Sequence, residues 1–201
     1  MWQRSMRSCV MASFVVAVGC AKADGDGGGS GGLFGDLGWN GTWHSECVAE
    51  EEDFGQARLH FDGTSASRTF AWYATPACRD GDEYVTYGSA FHDARQLEPA
   101  DLDGYTTIKA TVTSHVATPK TAGQATYWNE KKRFGYDDWE AHVAKDIAGR
   151  KWDESDEYPY STAGAEIYRT LALEDGKLVF AAYENGVALR SDDPLDAFTR
   201  D

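Results

Sequence analysis

Cations are scarce in this chain. Lys and Arg total 19 against 33 Asp and Glu, a formal net charge of −14. A field of that sign repels phosphate backbones, so nucleic acid is not an expected partner. Long apolar runs are missing too. The longest, residues 9–19, falls well short of the about 20 residues that a membrane-spanning helix needs. The five histidines (His44, His60, His92, His115 and His142) lie in no metal-ligand spacing. Gly28-Gly29-Ser30-Gly31-Gly32 lies in a glycine-rich tether, without the flanking strand and helix that a nucleophile elbow or a phosphate-cradling loop requires. Asp101-Leu-Asp103-Gly104 lacks the distal Glu of a calcium loop. With 33 acids, some carboxylates must lie close together by chance, so their pairing is no sign of glycoside hydrolysis. These absences leave no catalytic residue, metal or cofactor to expect, and the chain reads as a non-enzyme.

What is present begins at the N-terminus. Arg4 and Arg7 precede the apolar run, and small residues end it. That is the layout of a secretory signal peptide. Ala17-Val18-Gly19-Cys20 resembles the lipobox of bacterial lipoproteins. The resemblance implies cleavage before Cys20 and acylation of that cysteine, hence a membrane partner through an N-terminal lipid. The domains expected are a signal peptide over residues 1–19, a lipidated Cys20 with a Gly-rich tether over 20–32, and a folded domain over 33–201. A tether of this composition reaches roughly 19 Å. Lys22 stands where Asp favours inner-membrane retention in enteric bacteria, so the resemblance points to the outer membrane. Neither the periplasmic nor the surface side is specified.

Maturation changes the bookkeeping. Loss of Arg4 and Arg7 takes the net charge from −14 to −16. Cys9 leaves with the signal peptide and Cys20 carries lipid, so Cys47 and Cys78 remain. Two cysteines in an oxidising compartment predict one disulfide. They are too few for a four-thiolate zinc site.

The folded part is rich in aromatics interleaved with Thr, Val and Ile, which favours strands. Strands are predicted at 42–49, 56–61, 65–74, 83–91, 105–116, 123–129, 165–174 and 177–183. Asp62-Gly63 and Asp175-Gly176 mark hairpins. In 105–116, Ile108, Ala110, Val112 and Val116 are expected on the dry face. Thr107, Lys109, Thr111, Thr113 and His115 are expected on the wet one. One helix is predicted over 137–149. Trp139, Val143 and Ile147 form its apolar face, Asp137 its N-cap and Gly149 its C-terminal stop, and its expected job is to plug or flank the sheet. About eight antiparallel strands with one helix suggest a closed barrel, with a two-sheet sandwich as the alternative.

Gly41-Thr42-Trp43 at the head of the first strand resembles the first motif of lipocalins and fatty-acid-binding proteins. The resemblance implies that Trp43 closes the barrel floor and stacks on a late arginine, here Arg190. Cys47, Pro76-Ala-Cys78, Gly135-Tyr-Asp-Asp138-Trp139 and the block from Pro194-Leu195-Asp196 to Arg200 resemble lipocalin-like domains of bacterial envelope lipoproteins over most of residues 40–200. Such relatives can carry another cysteine pair around the helix. Phe134 and Trp152 occupy that region here, which implies an apolar contact instead. The expected fold is therefore mainly β, a lipocalin-like antiparallel barrel. Phe70, Trp72, Tyr87, Tyr127, Tyr168 and Phe180 are the candidate lining of a pocket for a small hydrophobic ligand, with a filled barrel as the alternative. A protein partner cannot be named from the sequence.

Overall fold

A computed structural model describes residues 32–50, 52–98, 102–156, 159–184, 187–191 and 193–201, without the side chains of 183–190. Cys20, the signal peptide and the tether up to residue 31 lie outside the described residues. In chain order the elements are α1 (Gly32–Asp36), β1 (Gly41–Ser45), β2 (Val48–Glu50), β3 (Asp53–Asp62), β4 (Ser65–Tyr73), β5 (Glu83–Leu97) and β6 (Thr106–Pro119). They continue with α2 (Ala122–Lys131), β7 (Lys145–Asp146), β8 (Glu166–Glu174), β9 (Lys177–Glu184), β10 (Val187–Arg190) and β11 (Ala197–Arg200). Every strand pairing is antiparallel.

Eight strands close a ring in the order β1-β11-β9-β8-β6-β5-β4-β3, with β3 returning to β1. The protein is thus a closed antiparallel barrel, with β2, β7 and β10 appended to β3, β6 and β9. Closure leaves no edge within the ring. Both expected hairpins are in place. Asp175 (φ 49°) and Gly176 (φ 78°) take left-handed conformations together between β8 and β9. This is the turn whose twist matches the flanking strands.

Two expectations about local structure are corrected. Residues 123–129, expected as a strand, belong to α2. The Thr121 hydroxyl accepts from the Gln124 N–H and caps the start, and Lys132 closes the end in a left-handed conformation. Ala125 and Trp128, three residues apart, are the buried helix face. Residues 137–149, expected as the helix, run as turns and the short β7. Trp139 and Ile147 are buried, but Val143 is 44% exposed. The reason lies in β6. Its ladder with β8 ends at Thr111, which leaves the far end of the strand without a neighbour on that side. Residues 142–147 supply one. The His142 N–H donates to the Pro119 carbonyl, the Ile147 N–H donates to the His115 carbonyl, and β7 pairs with Val116 and Ala117. Backbone donors committed to a ladder cannot also make a helix.

The alternation in β6 is corrected as well. It holds from Ile108 to Val112, which are buried. Ala90 then pairs with Ser114 while Phe91 pairs with Val112, so Thr113 is an extra residue. A bulge of this kind flips every later side chain. His115 and Ala117 therefore point inward and are buried, and Val116 turns outward.

Candidate functional site

Cross-strand partners share a face, so the lining of the barrel follows from the register. Ala57, Leu59 and Phe61 on β3 are buried and lie opposite Phe70, Arg68 and Ala66 on β4. These lie opposite Tyr87, Ser89 and Phe91 on β5, which in turn face Ala117, His115 and Val112 on β6. Ile108 on β6 opposes Arg169 on β8, and Leu171 opposes Phe180 on β9.

One end of this lining is sealed by α1. Phe34 is fully buried, with its ring 4.6 Å from that of Phe61, and its N–H is bonded to the Gly63 carbonyl. Trp43 is buried beside it and donates its ring N–H to the Trp39 carbonyl at 2.8 Å. The Arg200 guanidinium lies over the Trp43 ring, 5.5 Å from its centroid, and donates to the Asn40 carbonyl. The side chain of Arg190, expected in that place, lies outside the described residues. Arg200 does stack there, because β11 sets it directly opposite Trp43.

The other end is covered by the described residues of the long connection from β6 to β8, 120–156 and 159–165. Trp72, Val85, Tyr87 and Ala117 face inward and form one apolar cluster with Trp128, Phe134, Trp139, Ile147 and Trp152 of that connection. The rings meet mostly edge to face, as with Trp128 and Trp139 at 4.7 Å. Phe134 and Trp152 touch at 5.1 Å. Phe134 sits at φ 56°, an unfavourable region for a bulky residue that costs about 1–3 kcal/mol. Two hydrogen bonds hold it there, from its N–H to the Trp152 carbonyl and from Arg150 to its own carbonyl. The Arg133 guanidinium stacks 4.3 Å from the Trp152 ring and bonds Asp153 at 2.6 Å. The plugging job expected of a helix falls to this whole connection.

Between the two ends the lining changes character. Trp43, Ala57, Leu59, Leu171, Leu178 and Phe198 are buried. Phe70, Tyr87, Ser89, Phe91, Arg169 and Phe180 face the same interior yet keep solvent-accessible surface, and Arg68 is exposed. Arg68 and Arg169 act electrostatically on Asp196, whose carboxyl burial pushes above the ordinary range while the Ser191 hydroxyl, donating at 2.8 Å, pulls it back.

Of the six candidate lining residues, Phe70, Trp72, Tyr87 and Phe180 face inward, and Phe70 meets Trp72 edge to face at 4.9 Å. Tyr127 lies on α2 beside Arg133. Tyr168 points outward, where Lys109 lies over its ring. Cys47 and Cys78 form the expected disulfide. It holds the connection from β4 to β5 to the segment between β1 and β2, and both cysteines pack with Ala71 and Tyr73. A depression of about 360 Å³ on the outer face is lined by Asp93, Arg95, Lys109 and Glu166 among others. Lys109 and Glu166 already pair across it. Among the described residues no group of three or more His, Cys, Asp or Glu is placed to hold a metal ion.

The inward placement of the polar residues Arg68, Ser89, His115 and Arg169, and the charge of Asp196 near them, escape the sequence reading. No motif or spacing in the sequence singles out Arg68, Ser89 or Arg169, Asp196 stands only in the closing block, and His115 is expected on the wet face of its strand. Comparison of the chain with protein-family models finds no match, and comparison with curated proteins finds none either. The resemblance to lipocalin-like proteins therefore stands at the level of architecture, a closed eight-stranded antiparallel barrel.

Proposed function

We propose that this chain is a lipid-anchored protein of the bacterial envelope whose barrel binds or carries a small hydrophobic or lipid-like molecule, without catalysing a reaction. One observation carries the proposal: Phe70, Tyr87, Ser89, Phe91, Arg169 and Phe180, on the inner face of the ring by register, keep accessible surface. Phe70, Tyr87, Phe91 and Phe180 supply apolar contact there. Arg68 and Arg169, beside Asp196, supply a polar pole for the head group of an amphiphile. A protein-interaction module with no ligand is the second reading. It is favoured by the aromatic plug, which covers one end of the lining.

Titration with an environment-sensitive fluorescent fatty acid tests the first reading. Saturable binding is expected, weakened roughly tenfold or more by Ser89→Phe, which fills the interior opposite Arg68. A thermal melt of the variant confirms its folding. Absence of saturable binding to the unaltered protein favours the second reading.

A further inference from the structure

His115 occupies a fork in the barrel wall. Below it, Thr111 pairs with β8; above it, Val116 pairs with β7 of the plug. Its own carbonyl accepts from Ile147 in the plug, 2.8 Å away. The bulge at Thr113 turns the ring inward, where it is only 2% exposed. Nδ1 lies 2.8 Å from the Ser89 hydroxyl of β5. Nε2 is buried and has no hydrogen-bond partner among the described residues. Phe91 from β5 and Tyr160 from the plug meet the ring edge to face at 6.2 and 5.5 Å. The charged groups that act on it are Asp146 of β7 and Arg169 of β8.

We propose that His115 is an acid-operated latch: in the neutral state it joins the barrel wall to the plug, and its protonation releases residues 142–156 from the barrel end. The neutral ring suits this pocket in the tautomer whose Nδ1–H donates to the Ser89 hydroxyl, which leaves no proton on the buried Nε2. The protonated ring carries a second N–H with no acceptor, in a pocket walled by two aromatic rings. Burial accordingly holds the ring below its ordinary value of 6.5, with Asp146 opposing and Arg169 adding to the shift. Asp146 is already engaged, since its carboxylate accepts from the Ala148 N–H. Release of the plug uncovers Trp72, Val85 and Tyr87, the apolar rim of the interior. The latch rests on the barrel and plug alone and stands whether or not the interior carries a ligand.

Amide hydrogen exchange of the full chain in detergent micelles tests this, expressed as protection factors at pH 7.5 and pH 5.0. Protection of residues 142–156 is expected to fall roughly tenfold or more at the lower pH, while β3 and β4 keep theirs. His115→Asn, which carries no titrating ring, is expected to lose less than about twofold. An unchanged plug in the unaltered protein, or an equal loss in the variant, overturns the proposal. Should the variant fail to fold, NMR titration of the His115 ring in the unaltered chain decides. A midpoint at or above 6.5 overturns the latch, and a lower one that coincides with loss of plug protection supports it.

Discussion

Arg200 stacks over Trp43, its guanidinium 5.5 Å from the ring centroid, and so joins the last strand of the barrel to the first. The pair closes the ring where its last strand in sequence meets its first. Trp43 is almost fully buried among Leu59, Phe61 and Trp39. Its removal leaves a large cavity, so Trp43→Ala is expected to cost about 3–5 kcal/mol in a urea titration. Arg200→Ala is expected to cost about 0.5–2 kcal/mol, from the lost stacking and packing. A Trp43→Ala loss below about 1 kcal/mol contradicts its place in the core.

The disulfide closes a loop with a sequence separation of 31. The loop-entropy model gives it roughly 3–4 kcal/mol. Denaturation of the double variant Cys47→Ser, Cys78→Ser is expected to show a loss of that order. An equal stability of the two proteins contradicts a staple in the folded domain.

The exchange of helix and loop in the plug has its own signature. Thr121→Ala removes the cap of α2 and is expected to lower stability by about 1 kcal/mol. Val143→Asp is expected to change it by less than about 0.5 kcal/mol, because that side chain is exposed on a turn. A large loss on Val143→Asp restores the amphipathic helix of 137–149 that the spacing suggested.

The anchor is tested independently of the barrel. Cys20→Ser is expected to abolish acylation and to release the protein from membranes on cell fractionation. Unchanged retention in the membrane fraction contradicts the lipobox reading.

Much of the barrel was legible because its signals are local. Asp175-Gly176 tolerates the paired left-handed conformations of a tight hairpin, and the alternation from Ile108 to Val112 follows from the pleat. The bulge at Thr113 was not legible, because it depends on which residue of β5 lies opposite. His115 therefore read as wet when it is buried. The plug was misread for a similar reason. Trp139, Val143 and Ile147 carry helical spacing, but β6 needs a backbone partner there, and that demand is set by where β8 stops. Tyr127 and Trp128 looked strand-like by composition, while a threonine cap and a buried Ala125 decide for helix. Arg190 and Arg200 both follow the final hairpin, and only the pairing of β11 with β1 singles out Arg200 as the partner of Trp43. Of the interior, the rings were found by type. The charges and His115 were missed because facing inward is a property of register.

Native mass spectrometry of the protein isolated from its own host tests the central claim most directly. The account predicts a population heavier than the acylated chain by the mass of a small hydrophobic molecule, depleted in the Ser89→Phe variant. A protein that carries only its own lipid, and that stays bare after incubation with fatty acids, contradicts it.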